Sequence, residues 1–266
     1  CRTGASLDLS YLGVRREWKR WGEWFVRTTG VDGFRLDAVK HMKFTFFNEW
    51  LGELRSSFKR ELFTVGEYWR DDFDALKYYL ETTEGAFSLF DVPLHWNFYR
   101  ASKSGRYYDL RKIFDKTLTA HSQLKSVTFV DNHDTQPGQS LDSWVEDWFK
   151  PAAYALILLR NQGYPCIFYG DYYGIECESI PPKRKMLRLL LEARTRCAHG
   201  RQRDYFDDPN AVGWTREGDE RLPGSGLAVV LGNDGPAVKH MRVGARPDGA
   251  AVRDALGNSP ETLPTD

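Results

Sequence analysis

The sequence predicts an α/β fold, part of a parallel β/α barrel followed by a small antiparallel β domain, and three observations carry that reading. Helical and extended patterns alternate from about residue 14 to Gly200. Three acids, Asp37, Glu67 and Asp134, close successive apolar runs. After Gly200 the alternation gives way to short β-branched runs. Asp37 and Glu67 lie thirty residues apart, the length of one strand, one helix and the next strand, while Glu67 and Asp134 leave room for two such units. Acids spaced this way meet only on parallel strands, because parallel neighbours need a crossover of a dozen or more residues. Barrels of this kind gather chemistry at the C-terminal ends of their strands.

Val14, Trp18, Trp21 and Phe25 recur at helical spacing, and Gly30 stops that helix before VDGFRLDAV, a strand. Phe47, Trp50, Leu51, Leu54 and Phe58 mark a second helix ahead of the strand LFTVGEYW. SLFDVPLHW is expected as a third strand, residues 110–118 as a helix and SVTFVDNHD as a fourth strand. Residues 142–162 read as an apolar helix that takes Pro151 near its start and stops at Gly163. YPCIFYGDYYG is expected as a fifth strand, and PKRKMLRLLLEARTRCAHG as a closing amphipathic helix that ends at Gly200. Five strands fall short of the eight in a closed barrel, and the expectation is of open sheet edges prone to aggregation.

Beyond Gly200, AVGWTRE, GLAVVLGND, HMRVGA and AVRDALGN are separated by Gly, Pro, Asn and Asp, the pattern of short antiparallel strands. The expected division is 1–204 for the barrel part and 205–266 for a small antiparallel, β-sandwich-like domain. The chain has 266 residues, 37 basic and 37 acidic, so no basic excess points to nucleic acid. No run approaches the roughly 20 apolar residues of a membrane span. Nine Trp and 14% aromatic content suit carbohydrate faces and core packing alike. Cys1, Cys166, Cys177 and Cys197 show no C-x-x-C spacing, which gives no sign of a zinc or redox pair. Cys166 is expected as a buried thiol. Cys stands first and no signal peptide follows, so compartment is open and the expectation is a fragment of a longer chain.

In GFRLD, strand alternation puts Arg35 and Asp37 on one face. A guanidinium beside a carboxylate keeps it ionised, as a nucleophile requires. Glu67, flanked by Tyr68 and Trp69 and near another acid, has the setting in which a carboxyl holds its proton and acts as general acid. His133 and Asp134 of NHD suit adjacent sugar hydroxyls. Each element alone is commonplace: an Arg-x-Asp pair is usually structural, and NHD resembles many turns. Their joint occurrence at three strand ends favours a glycosidase.

GFRLDAVKH, FTVGEYW and FVDNHDTQPGQS resemble the conserved regions of the α-amylase family, glycoside hydrolase family 13, in its liquefying bacterial type and related fungal enzymes. The likeness extends through FDVPLH, WFKPAAYALIL, GYPCIFYGDYYG and VGWTREG, from about residue 14 to 258. The resemblance implies strands four to eight of a (β/α)₈ TIM barrel, with the first three strands and a calcium-binding excursion absent. It implies Asp37 as nucleophile, Glu67 as proton donor and Asp134 as the third acid. Arg35 would orient the nucleophile, His133 would bind sugar at the cleavage point, Lys40 and His41 would contact sugar on the leaving-group side, and Trp69 would offer a sugar platform. The implied activity is retaining endo-hydrolysis of α-1,4 bonds in starch and glycogen. The alternatives are an α-glucan transglycosylase of the same family and an inactive carbohydrate-binding fragment. The resemblance implies an α-glucan as partner, nucleic acid and membrane are not expected, and the full-length protein is expected as a monomer. Family Ca²⁺ would draw on SLDLSYLGV and on the backbone carbonyl of His41. Ser6 replaces one expected acid there and Asp8 keeps the other, so calcium binding by this chain is expected to be weak.

Overall fold

The computed structural model describes residues 8–244, 251–257 and 262–264. Helix α1 (Leu12–Thr29) ends where Gly30 turns left-handed at φ 68 and its amide closes on the Val26 carbonyl. Strand β1 (Gly33–Leu36) leads through a short 3₁₀ turn into α2 (Phe44–Phe58), and β2 (Phe63–Gly66) leads into α3 (Phe73–Thr82). Next come β3 (Ser88–Phe90), α4 (Val92–Ser104), α5 (Leu118–His121) and β4 (Ser126–Phe129). The barrel part closes with α6 (Lys150–Leu158), β5 (Tyr164–Cys166), α7 (Tyr169–Tyr173) and α8 (Arg184–Arg196).

The five strands pair in parallel in chain order, β1-β2-β3-β4-β5, as the spacing of the acids predicts. Leu36 stands opposite Gly66, and Gly33 opposite Phe63. At Gly33 the two backbones meet so closely that a Cβ there would lie 1.7 Å from the Phe63 carbonyl oxygen. β1 and β5 are the two edges of the sheet, which curls enough for the Phe63 and Tyr164 rings to meet at 5.3 Å between centroids. One core cluster, with Phe46, Phe47, Trp50, Leu51, Leu54, Leu76 and Leu89, packs α1, α2 and α3 on the first strands. A second runs from Leu94 and Phe98 of α4 through α6 to Leu187 and Leu190 of α8 and reaches Trp214.

An antiparallel sheet follows, ordered β6 (Gln202–Tyr205), β7 (Ala211–Arg216) and β8 (Leu227–Gly232). β9 (Ala251–Arg253) and β10 (Thr262–Pro264) form a separate antiparallel pair. The fold is thus a partial barrel followed by a small β domain. β6 spans the expected 204/205 division. Two asparagines join the parts: Asn233 Nδ2 donates to the carbonyls of Gly105 at 2.9 Å and Tyr108 at 2.8 Å, and Asn210 Nδ2 donates to that of Arg106 at 2.6 Å. Among the described residues no helix is long and apolar enough to cross a membrane.

Several expected elements are corrected. Only Ser88–Phe90 of SLFDVPLHW is strand. The Asp91 carboxylate accepts from the Leu94 amide and Pro93 sits in the first turn, so the rest becomes α4. The helix expected over 110–118 is a 3₁₀ turn at Leu110–Lys112 and the short α5, because Asp109 and Thr117 each cap a new start within nine residues. Residues 142–146 are irregular and 147–149 a turn, and the helix begins at Lys150, where Pro151 costs no intrahelical bond. YPCIFYGDYYG is strand only to Cys166, then α7. Residues 240–244 of HMRVGA form no strand, and Ala245 lies outside the described residues. AVRDALGN is strand only at Ala251–Arg253, and its Asn258 is also outside them. α3, which Asp72 caps through the Ala75 amide, is a helix not expected from the sequence pattern. Cys166 is exposed on the edge strand rather than buried, and Cys1 lies outside the described residues.

Candidate active site

Asp37 and Glu67 each follow the last paired residue of their strands, so the β1–β2 register sets them side by side. The ladder runs one step past the strands. The Glu67 amide donates to the Leu36 carbonyl at 2.8 Å, and the Val39 amide donates to the Glu67 carbonyl at 3.0 Å. Ala38, between Asp37 and Val39, adopts a left-handed conformation at φ 47. That turn aims the Ala38 amide at Glu67 Oε2, 3.1 Å away. The Arg35 guanidinium joins the two acids: Nη1 lies 2.6 Å from Asp37 Oδ1 and Nη2 lies 3.2 Å from Glu67 Oε1.

The two carboxyls differ sharply in exposure. The Asp37 side chain is 74% accessible and that of Glu67 only 8%. An open anion held by a guanidinium beside an enclosed carboxyl is the division that a nucleophile and a proton donor require.

Asp134 sits in the loop after β4. The Asn132 side-chain oxygen accepts from the amides of Asp134 and Thr135, both at 2.9 Å, an Asx turn that fixes the loop. His133 Nε2 lies 3.5 Å from Asp134 Oδ2, and the His133 ring is largely exposed. Among the described residues no hydrogen bond or ion pair links Asp134 to Asp37, Glu67 or Arg35. The three acids therefore share one end of the sheet, but only the first two touch a common group.

Lys40 Nζ donates to the Trp69 carbonyl at 3.0 Å, which ties the turn after β1 to the segment after β2. Half-buried Trp69 packs near His95 at 5.8 Å and Phe129 at 6.1 Å between ring centroids, which leaves part of its ring open. The His41 side chain is exposed in the 3₁₀ turn Val39–His41.

Calcium has a poor set of donors here. The Asp8 carboxylate accepts from the Ser10 amide at 2.9 Å and from its hydroxyl at 2.6 Å, bonds that hold it below the ordinary carboxylate range. Ser6 lies outside the described residues. Among those described, no three His, Cys, Asp or Glu side chains converge as a metal would need. Asp8 and the His41 carbonyl do not by themselves fit a hard cation, and no chemical step is assigned to one.

Beneath the site lies a polar layer that the sequence reading did not find. His95 is fully buried and stacks on Phe129 at 5.2 Å. Its Nδ1 donates to the Val130 carbonyl at 2.7 Å, and its Nε2 accepts from the Ser143 hydroxyl at 2.9 Å. Lys150 is also fully buried, with Nζ 2.7 Å from Asp131 and 2.6 Å from Asp171. The usable signal was charge inside apolar runs: the Asp of FVDN, the Lys of FKPAAYALIL and the Asp of FYGDYY.

Burial lowers the His95 imidazole from 6.5 to about 4. The unfolded chain therefore binds one more proton between these values, and the contribution of His95 to stability is complete above pH 6.5 and lost as pH falls toward 4. At 1.36 kcal/mol per unit this amounts to about 3 kcal/mol. In denaturant unfolding at pH 7 and pH 4.5, wild type should lose about this much more stability than a His95→Gln variant as pH falls, because buried Asp131, pushed up to about 7, contributes with the opposite sign in both. An equal loss in the variant would sink the assignment.

A family model described as "Alpha amylase, catalytic domain" matches residues 3–219. An alpha-amylase of Geobacillus stearothermophilus is 52% identical over 97% of this chain and 47% of its own length. One of Bacillus licheniformis is 49% identical over 97% of this chain and 51% of its own length. An Anoxybacillus alpha-amylase crystal structure superposes with a TM-score of 0.69 at 20% identity, over 98% of this chain and 60% of that one, a likeness of fold. The chain thus spans about half the length of the curated relatives it matches. On the strength of the family model and these identities, the chain belongs to the α-amylase family.

Proposed function

We propose that this chain carries the catalytic carboxylates of a retaining glycoside hydrolase that cuts internal α-1,4 bonds of starch-type glucans. The observation that carries this reading is the Arg35 guanidinium shared by open Asp37 and enclosed Glu67. Asp37 attacks the anomeric carbon while Glu67 gives its proton to the departing glycosidic oxygen, and a β-glycosyl ester forms on Asp37. Water then attacks that ester as Glu67, now ionised, takes its proton and releases an α-configured product. Arg35 holds Asp37 through their ion pair and keeps it turned toward the sugar. His133 and Asp134 bind hydroxyls of the reacting ring, and Lys40, His41 and the open part of Trp69 meet the leaving-group side. The barrel chemistry belongs to 1–204, with 205–266 as an accessory β domain.

Transfer of glucan instead of hydrolysis differs only in whether sugar or water attacks the ester. A cyclomaltodextrin glucanotransferase of Geobacillus stearothermophilus is 30% identical over 59% of this chain, less than the alpha-amylases. The test is digestion of maltoheptaose by the polypeptide that contains this chain, followed by chromatography and proton NMR of the fresh products. Shorter linear α-anomers support the proposal. Products longer than the substrate would favour transfer, and β-anomers appearing first would overturn retention.

A further inference from the structure

We propose that Lys150 is a positioning residue that holds His133 and Asp134 in place through Asp131, an inference that rests on the sugar-binding role proposed for that pair. Lys150 never meets the sugar. Its ammonium lies between the carboxylates of Asp131 and Asp171 and under the Trp144 ring, 3.2 Å from the centroid.

The loop bearing His133 and Asp134 is closed at both ends on Asp131. That residue begins the loop, and its Oδ1 accepts from the hydroxyl of Thr135, the residue just after Asp134, at 2.8 Å. The same Thr135 oxygen accepts from the Asn132 amide at 2.9 Å. Asp131 also receives the Val145 amide at 3.3 Å. Asp171, the far partner of Lys150, accepts the Tyr154 hydroxyl at 2.6 Å, and its backbone carbonyl accepts the Lys183 amide at 2.7 Å. One ammonium thus ties the loop after β4 to the helix after β5.

Stability alone is a poor reason for this arrangement. Buried ion pairs can often be replaced by apolar side chains at no loss, whereas they do fix geometry. With the ammonium gone, Asp131 and Asp171 face each other as like charges, and burial already pushes Asp131 up to about 7. The movable partner is Asp131, because it lies in the loop after β4 whereas Asp171 lies within α7. A displacement near 1 Å at a reacting sugar can cost about a hundredfold in rate.

The test compares wild type with Lys150→Met, which keeps the volume, and with Lys150→Met/Asp171→Asn, which also removes the facing charge and keeps the variant folded if the single one fails. Two quantities are read well below the unfolding temperature: kcat on maltoheptaose, and the NMR signals of the His133 ring. Positioning predicts shifted His133 signals and a kcat at least about tenfold lower in the double variant, even where its unfolding temperature matches wild type. A double variant with unmoved His133 signals and wild-type kcat would overturn the proposal. Should wild type cut no glucan, the catalytic reading fails separately, and the His133 signals still decide whether Lys150 holds the loop.

Discussion

Replacing Glu67 by Gln is expected to lower kcat on maltoheptaose by about 10²- to 10⁴-fold, the share a positioned proton donor contributes. The amide keeps the shape of the carboxyl and can still accept from the Ala38 amide, so KM should change little. What it cannot do is yield a proton to the departing oxygen. A maltosyl fluoride needs no such proton, because fluoride leaves unaided, and its consumption in the first step should be far less affected. Equal losses on both substrates would show that the substitution had disturbed the site rather than removed an acid. An undiminished rate on maltoheptaose would remove Glu67 from the mechanism.

Loss of Asp91 should be the most damaging change to the fold, at about 3–5 kcal/mol for Asp91→Ala. The carboxylate is wholly buried and receives the amides of Leu94, Leu118 and Thr119 and the hydroxyls of Thr119 and Ser126. Burial pushes the group above the ordinary carboxylate range, against the pull of these donors. The single side chain caps α4, takes the first two amides of α5 beside the Thr117 cap, and holds Ser126 at the base of β4. Alanine leaves three backbone amides without a partner where water cannot reach them, while Asp91→Asn would restore one acceptor and recover about half the loss. Denaturant midpoints for wild type and the two variants give the measurement, and a cost below about 1 kcal/mol for Asp91→Ala would refute the argument.

Parallel order and the placing of Asp37 and Glu67 just past β1 and β2 were legible because both are properties of spacing, whereas Asp134 lies farther on, in the loop after β4. A crossover length and an alternating run survive in the sequence whatever the packing does. Arg35 and Asp37 were placed on one face by the period of two, and the structure joins them. Segments governed by capping were harder to read. FDVPLH is apolar enough for a strand, yet Asp91 and Pro93 start a helix inside it. α3 escaped notice because its apolar positions are interrupted by Asp74 and Lys77 and its start depends on a single bond from Asp72. Within the site, the sharing of Arg35 by Asp37 and Glu67 follows from strand register, which no local pattern encodes. The layer of His95, Asp131, Lys150 and Asp171 is drawn from four separate segments, and only their meeting gives the charges a purpose.

The contact between Gly33 and the Phe63 carbonyl oxygen gives a residue far from the chemistry a hold on it. β1 and β2 are short, and their register at the bottom sets which residues emerge level at the top. A slip of one residue would raise one acid by about 3.3 Å relative to the other and turn it to the opposite face. On the proposed mechanism, the separation of nucleophile from proton donor, and with it the stereochemical course of the reaction, would be inherited from a position without a side chain. Mutational scans that score only cleft residues would pass over Gly33, although a substitution there could displace one acid from the other while every cleft residue kept its identity.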